Sequence, residues 1–300
     1  MVIDILGSAA GGGVPQWNCA CRQCSAAQNG LIKARTQCSV AITADGRRWI
    51  LVNASPDLRS QLIRFPPSPS SGIRRTPIEG VLLSDADLDH TLGLFLLRES
   101  ESPVFIHASL AIKYAVEEGL RVTEILNRYC GVRWVTSPSD FGPIFCRDGT
   151  ESGLEYRAIE IKGPGPRYSR GVHRSCRLVY LIRDSATRKS VLIAPAVAEF
   201  EPQLLAELSH ADVILFDGTF WSDEDFQKSG IAGFPVAKLL QSHLPILDGS
   251  LKTLAAQNAK HKVYLHINNT NPILWDASPE RQQLDDLGIE VAVDGRRIEI

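Results

Sequence analysis

Short apolar runs recur along the chain and predict a series of buried strands. Most of them are rich in Val, Ile and Leu, which is typical of strands covered on both faces. The predicted strands are 2–6, 39–43, 48–53, 80–84, 104–108, 177–182, 190–195, 213–217, 263–267 and 290–294. Strands lie at both ends of the sequence and alternate with helical segments in the middle. This pattern predicts one layered α/β domain over residues 1–300.

Capping residues and apolar periodicity predict the helices between these strands. Ser55, followed by a proline, has the character of a helix N-cap with proline at the first helical position. Residues 109–129 and 199–211 repeat their apolar side chains at helical spacing. Residues 279–288 end on a glycine suited to a C-cap. The stretch PPSPSSG at 66–72 predicts a surface loop.

The bulk composition is that of a globular chain with balanced charge. Hydrophobic residues make up 44% of the 300 positions, and 32 basic residues face 34 acidic ones. This balance gives no electrostatic reason to expect nucleic acid or an anionic membrane as a partner. No apolar run approaches the roughly 20 residues of a membrane span, and the first residues lack a basic region typical of secretory signals. We therefore expect a cytoplasmic protein with neither a nucleic-acid nor a membrane partner.

Three cysteines lie within six residues near the start of the chain, in the pattern C-x-C-x-x-C. They are Cys19, Cys21 and Cys24. A reducing cytoplasm favours metal binding over disulfides for such a cluster. Three thiolates fill three of the four positions of tetrahedral zinc, so a structural site would need one more ligand from elsewhere. Three incidental cysteines are the alternative. The remaining cysteines are expected to be small buried side chains: Cys38, Cys130, Cys146 and Cys176.

The glycines before this cluster follow the first predicted strand. A dinucleotide-binding loop would need a helix to begin at the glycines. Here the sequence VPQWNCAC follows, with a proline and the thiols and no helical period. The glycines at 11–13 are better explained by a backbone that turns tightly beside a metal or a pocket.

An acidic run follows the predicted strand at 80–84. Its chemistry-bearing residues are Asp85, Asp87, Asp89 and His90. The carboxyl end of a strand is where α/β folds place their binding and catalytic groups. A solvated acidic turn is the alternative interpretation of this run on its own.

Two further polar residues end or interrupt apolar strands later in the chain. Asp217 closes the strand at 213–217, and His266 lies within the strand at 263–267. A buried charge without a partner costs several kcal/mol, so these residues need one. A metal ion shared with Asp89 and His90 would supply it.

Several longer stretches make the chain resemble the B proteins of pyrroloquinoline quinone biosynthesis, which belong to the metallo-β-lactamase superfamily. The stretches are GSAAGGGVPQWNC at 7–19 with the two cysteines after it, ARTQ at 34–37, NASPD at 53–57, LDHTLGL at 88–94, FDGT at 216–219 and HINNTNP at 266–272. The resemblance runs from end to end. It implies the four-layer αββα sandwich of that superfamily.

The resemblance also implies a metal site with one altered half. Superfamily hydrolases carry HxHxDH in the loop after this strand. Here Asp85 and Asp87 stand at the first two histidine places, while Asp89 and His90 keep the last two. The implied active-site ligands are Asp89, His90, Asp217 and His266, with Asp85 and Asp87 as further candidates. Two histidines with carboxylates suit a single non-haem Fe(II) ion and oxygen chemistry, and zinc is the alternative ion.

By resemblance, the activity is that of an iron-dependent oxygenase. Members of the family are expected to hydroxylate the tyrosine ring of a crosslinked Glu-Tyr intermediate, with O2 as co-substrate. Asp89, His90 and His266 would carry the catalysis. Two alternatives stay open: a metal-dependent hydrolase such as a phosphodiesterase, using metal-bound hydroxide, and a carrier that moves the quinone or its precursor toward the periplasm. A homodimer also stays open.

Other positions follow from the same comparison of motifs. Superfamily phosphodiesterases with a similar thiol cluster take their fourth zinc ligand three residues after the late histidine, which implies Asn269. The segment 229–250 departs from the family pattern and retains His243, so the exact substrate stays open. His173 lies near a place for a later-loop ligand but is read as a surface residue. Three further histidines are expected to be structural or exposed: His107, His210 and His261.

Overall fold

Two mixed β-sheets of seven strands each form the centre of the computed structural model, which describes residues 1–65, 77–169, 177–231 and 242–300. The strands are β1 Val2–Gly7, β2 Ser39–Thr43, β3 Trp49–Val52, β4 Ile78–Leu82, β5 Val104–Ala108, β6 Val132–Thr136, β7 Gly142–Phe145, β8 Glu151–Ile161, β9 Arg177–Asp184, β10 Ser190–Ala194, β11 Val213–Asp217, β12 His261–Leu265, β13 Glu290–Val291 and β14 Arg296–Glu299. One sheet has the order β14-β1-β2-β3-β4-β5-β6, and the other has the order β13-β12-β11-β10-β9-β8-β7.

Each sheet is antiparallel in one half and parallel in the other. The pairs from β3 to β6 and from β10 to β13 are parallel. The other pairs, from β14 to β3 and from β7 to β10, are antiparallel. The parallel halves matter for function, because carboxyl ends of parallel strands meet at one edge and present their loops together.

Short helices cover the outer faces of the sheets. They are α1 Arg22–Gln28, α2 Leu58–Leu62, α3 Leu88–Thr91, α4 Leu110–Leu120, α5 Val122–Leu126, α6 Pro202–Leu208, α7 Asp225–Lys228, α8 Leu251–Ala255 and α9 Pro279–Asp286. Two 3-10 helices span Leu92–Glu99 and Pro272–Leu274, and a π-helical turn spans Ile246–Ser250. Among the described residues, none of the helices has the length and apolar character that crossing a bilayer requires.

The buried core has two parts that define the layers. A large cluster joins the two sheets, with Ile5 and Leu51 from one sheet and Tyr180 and Leu215 from the other. A second cluster lies between the outer face of the second sheet and helices α6, α8 and α9. Side chains of α2 and α4 join the core from the opposite side. The predicted order of helices, sheet, sheet and helices is therefore confirmed.

The apolar runs located ten of the strands, and the four others lacked such a run. The missed strands are β6, β7, β8 and β14. The longest of them, β8, alternates buried and exposed positions along Glu151–Ile161, because one face packs on the core and the other faces solvent. A search for continuous apolar stretches misses this two-residue period.

Two helix predictions need correction. The helix predicted over 109–129 is broken at Arg121, whose left-handed φ of 53° ends α4 and starts α5. Ser55 is not a helix N-cap. Its hydroxyl accepts a hydrogen bond from the backbone N–H of Asp57, so it closes a bend, and α2 begins only at Leu58. The predicted helices at 199–211 and 279–288 shorten to α6 and α9, and the predicted loop at 66–72 lies outside the described residues.

The isolated cysteines and histidines fall where small or structural residues are expected. Cys38, Cys146 and His107 are buried, His210 is exposed, and the intermediate positions are Cys130 and His261. Cys176 and His173 lie outside the described residues.

Candidate metal centre

Asp89, His90 and His266 converge at the edge where the parallel strands of both sheets end. Asp89 and His90 follow β4 on helix α3, and His266 follows β12. One ligand atom from each lies within 4.8 Å of the other two. The Asp89 carboxylate is 3.3 Å from Nε2 of His266 and 3.8 Å from Nε2 of His90. The structure therefore brings together three of the predicted ligands from two different sheets.

Nε2 of His90 shows what this cluster lacks. The atom is buried, and the described residues offer it no hydrogen-bond partner. An unpaired buried polar atom is costly, so a group that accepts its lone pair would remove a penalty. Imidazole nitrogens and a carboxylate are ordinary ligands of Fe(II) and Zn²⁺, and the donor set fits either ion.

Asp85 holds the other side of the His90 ring. Both of its carboxylate oxygens lie 2.8 Å from Nδ1 of His90. A carboxylate in this position fixes the tautomer and orientation of a metal-binding imidazole. The structure thus places Asp85 behind the predicted ligand His90 rather than beside Asp89 and His266, in a position that orients the His90 ring.

His266 has an unusual backbone for a non-glycine residue. Its φ is 57°, in the left-handed region. The hydroxyl oxygen of Thr219 lies 3.0 Å from the carbonyl oxygen of His266 and 2.8 Å from its Nδ1. These contacts hold the strained residue with Nε2 toward Asp89. Strain at such a position is commonly kept where a site requires it.

Asp217 contacts a different set of groups from the one predicted. It lies within 4.8 Å of His243 and His266, but not together with Asp89 and His90. One oxygen of Asp217 is 2.7 Å from Nδ1 of His243 and accepts from the backbone N–H of Val197. The other accepts two hydrogen bonds from Thr219. Because both oxygens are engaged, the structure gives Asp217 the role of fixing His243 and Thr219.

His243 is stacked on the ring of His266. The two ring centroids are 5.2 Å apart and the planes differ by 14°. With Nδ1 directed at Asp217, the other ring nitrogen is left for the cleft, which His243 lines. The sequence retained this histidine without a local motif to explain it, and the structure places it at the metal centre.

The loop that carries Asp85 to His90 is anchored by a residue from the neighbouring strand. Asn53, just after β3, accepts a hydrogen bond from the backbone N–H of Ser84 and donates one to its hydroxyl. Asn53 adopts a φ of 63°, which asparagine tolerates better than most residues. On the opposite side, a Cβ added at Gly11 would come within 3.2 Å of Asp89. The predicted tight glycine loop therefore lies directly beside the centre.

The charges of the centre follow from burial and mutual contact. Burial lowers the pKa of His266, so this ring is neutral near pH 7. Burial alone would lower the pKa of His90, but Asp85 and Asp89 outweigh it and raise that pKa well above its ordinary value. Burial alone would raise the pKa of Asp89, yet His90 keeps it well below the usual range. A metal cation on His90 would take the place of the proton that these carboxylates attract.

The thiol cluster lies close to the same loop. The sulfur atoms of Cys19, Cys21 and Cys24 are within 4.8 Å of one another. Helix α1 begins beside them, and the Cys21 sulfur accepts a hydrogen bond from the backbone N–H of Cys24. Burial raises the pKa of the Cys21 thiol to about 12, so a thiolate here requires a cation beside it. Three sulfurs in this arrangement fit tetrahedral zinc.

Asn269 closes the cluster from the far end of the sequence. Its side-chain nitrogen is 3.2 Å from the sulfurs of Cys19 and Cys24 and 3.8 Å from that of Cys21. The oxygen and nitrogen of an amide exchange places by a half-turn of the group. That half-turn would direct the oxygen at all three sulfurs, where a fourth ligand belongs. The predicted partner of the thiols is thus in position.

A cleft of about 990 Å³ opens over the centre. His90, His243 and His266 line its floor, and Cys19 and Asn269 line one side. The volume is at the upper end of the range for small-molecule sites. Both candidate metal positions therefore border one cavity, although their ligands lie far apart in the sequence.

Comparison with known proteins identifies the family and the fold. The family model described as "Beta-lactamase superfamily domain" matches residues 48–267. The coenzyme PQQ synthesis protein B of Methylococcus capsulatus is 40% identical over 306 residues, which cover 99% of each chain. That of Cupriavidus necator is 40% identical over 302 residues, covering 99% of this chain and 98% of the relative. The chain belongs to the coenzyme PQQ synthesis protein B family.

Solved structures show the same relationship. The Zn²⁺-bound PqqB of Methylobacterium extorquens superposes on this chain with a TM-score of 0.88 and is 32% identical to it, and the alignment covers all of both chains. A diphosphatase of the PhnP family has a TM-score of 0.69 at 18% identity, covering 100% of this chain and 97% of the other. At that identity, the diphosphatase shares the fold alone. Membership of the PqqB family and the metallo-β-lactamase fold thus rest on both sequence and structure.

Proposed function

We propose that the protein acts in PQQ synthesis as a metal-dependent oxygenase that hydroxylates the tyrosine ring of a crosslinked Glu-Tyr intermediate. The observation that carries this proposal is the convergence of Asp89, His90 and His266. Two histidines with one carboxylate form the ligand set of non-haem Fe(II) oxygenases, which leaves positions for oxygen and substrate. Iron held by this set would supply the activation of O2.

The residues around these ligands favour one metal ion over a pair of ions that activates water for hydrolysis. Asp85 fixes His90 through its Nδ1, and Thr219 fixes His266. Both oxygens of Asp217 already have partners in Val197, Thr219 and His243, and an ion at Asp217 would have to displace them. Activation of water by paired metals needs a second ion about 3.5–4 Å from the first.

The walls of the cleft match the proposed substrate class. Phe220 and Phe226 line the cleft and provide apolar faces for an aromatic ring, and Arg167 offers a cation for a carboxylate. A crosslinked Glu-Tyr compound carries both kinds of group. We therefore place the ring toward the histidines and the carboxylates toward the arginine.

We propose that the thiol cluster holds a structural zinc ion through Cys19, Cys21, Cys24 and Asn269. Four protein ligands leave no open position for chemistry. A relative with the same fold binds Zn²⁺. This ion would tie residues 19–24 to the loop of residues 266–271.

The proposal is tested on protein purified without oxygen. Its centre is loaded with Fe(II) or with Zn²⁺, and the crosslinked Glu-Tyr compound is added with O2 and an external reductant. We expect oxygen uptake and a product containing one additional oxygen atom with iron only. His266→Ala should abolish this turnover, whereas His261→Ala, at the opposite end of β12, should not.

Two results would contradict the oxygenase. Conversion by the zinc-loaded protein at the same rate, or without O2, would favour the metal-dependent hydrolase. Tight binding of the substrate or of the quinone without turnover under any metal would favour the carrier. Metal analysis of each sample shows whether the centre and the thiol cluster are filled, so a lost ion is not mistaken for lost chemistry.

A further inference from the structure

A buried arginine lies against the acidic loop of the metal centre. Arg177 begins β9, and its side chain is 4% exposed. Its Nη2 donates to the Asp87 carboxylate at 3.0 Å, and its Nη1 lies 3.5 Å from the Asp85 carboxylate. The same guanidinium thus bridges the two carboxylates that stand beside the His90 ligand.

The surroundings hold this guanidinium in place. A Cβ added at Gly163 would fall 2.2 Å from Cδ of Arg177, so the side chain occupies a slot that only glycine leaves open. Nη2 also donates to the hydroxyl of Ser242, next to His243. Nε and Nη1 have no hydrogen-bond partner among the described residues, so the charge of this buried side chain is balanced by the two carboxylates of the acidic loop.

The carboxylates beneath it would otherwise suit a cation. Asp85 and Asp87 are two residues apart and face the same space beside His90. The guanidinium pairs with both carboxylates, and it keeps its proton and its positive charge at physiological pH.

We propose that Arg177 occupies the cation position created by Asp85 and Asp87, and that it thereby restricts the centre to a single metal ion. This inference rests on the proposed function in one respect, that a metal binds at Asp89, His90 and His266. The arginine is a positioning residue, since it acts through the two carboxylates and by excluding a second ion.

The test counts cobalt(II) ions in the centre. The thiol cluster is kept filled with zinc, the centre is emptied with a chelator, and Co(II) is added while visible absorption and electron paramagnetic resonance are recorded. The wild-type protein should saturate at one Co(II) per chain with the spectrum of an isolated ion. Arg177→Met should take up a second Co(II), bound at least tenfold more tightly than any second ion in wild type, and its absorption should add to that of the first ion.

Matched variants separate charge from simple loss of structure. Arg177→Lys keeps the positive charge and should stay at one Co(II). Arg183→Met removes an arginine of the same strand that pairs with Glu155 at the surface, and it should also stay at one. Adding Asp87→Asn to Arg177→Met should abolish the second ion.

Each outcome bears on the proposal. A second Co(II) in the centre of the wild-type protein would overturn it, and this measurement needs no variant to fold. An Arg177→Met protein with native near-ultraviolet circular dichroism that still binds one ion would also overturn it, as would a second ion that survives Asp87→Asn. A wild-type centre that binds no metal would overturn the proposed function as well, whereas two ions in wild type would overturn this inference and the single-ion argument but not metal binding at Asp89, His90 and His266.

Discussion

Replacing Asp85 with asparagine tests the outer part of the metal centre without touching a predicted ion. The carboxylate of Asp85 lies 2.8 Å from Nδ1 of His90 and also accepts from the hydroxyl of Ser84 and the backbone N–H of Asp87. Asparagine has the same shape and keeps one oxygen for these donors. The change therefore removes a negative charge while it leaves the packing in place.

The expected loss is large enough to measure. A metal on Nε2 of His90 would lie about 7 Å from Asp85, and at an effective dielectric constant of about 20 the lost attraction is roughly 5 kcal/mol as an upper bound. Loss of a carboxylate behind a metal-binding histidine typically lowers affinity by about 10- to 100-fold. We expect about 100-fold for Asp85→Asn, because Arg177 keeps its positive charge and is no longer fully compensated.

Competition with a chromophoric chelator measures this affinity for Fe(II) or Co(II). Asp276→Asn is the matched control, since that carboxylate is 81% exposed and pairs with Arg281 at the surface. The zinc content of the thiol cluster serves as an internal reference in both proteins. An Asp85→Asn protein that binds the ion as tightly as wild type would refute the orienting role and the placement of the ion on His90.

Further predictions concern the thiol cluster and the core. Cys21→Ser should release one zinc ion per chain and lower the melting temperature, as metal analysis and calorimetry will show, whereas Cys130→Ser should keep the zinc; equal zinc in both would end the assignment. Asn269→Ala should weaken zinc binding and leave all three thiols, which chelator competition can detect. Burial lowers the pKa of His107 from 6.5 to about 4. Its contribution to stability is present above pH 6.5 and declines as the pH falls toward 4, by about 2 kcal/mol at pH 5. His107→Gln should reduce this pH dependence in urea unfolding, and an unchanged slope would contradict it.

The sequence located those parts of the centre that have a local signature. Asp89 and His90 follow a buried strand, and His266 ends another, so each could be placed at the same edge of the fold before the structure was known. Asn269 was implied by its spacing from His266, and the structure brings it to the thiols. Each of these predictions rests on a residue at the end of a strand or at a fixed spacing from such a residue.

The residues that were missed act across the two sheets. Arg177 is the first residue of β9 and belongs to no recognisable motif. Its role depends on its contact with Asp85 in the loop after β4, which belongs to the other sheet and meets β9 only in the folded protein. Thr219 ends the stretch FDGT that carried the resemblance, but no role was assigned to it, and its hydroxyl contacts His243 and His266 together. The roles of Asp85 and Asp217 changed for the same reason. A sequence shows that a carboxylate needs a partner, but the packing decides which partner it obtains.

The loop after β12 carries one residue of each metal position. His266 and Asn269 are three residues apart in this loop. The side chain of Asn271 donates to the carbonyls of Gly218 and Thr219, and these hydrogen bonds fix the loop against the end of β11. An ion at Asn269 would restrict the same backbone that presents His266, so filling one position would reduce the entropy lost on filling the other. Linkage would then require each ion to tighten the binding of the other by an equal factor. With the proposed ions, we expect metallation to be cooperative and a chain deprived of zinc to hold iron more weakly.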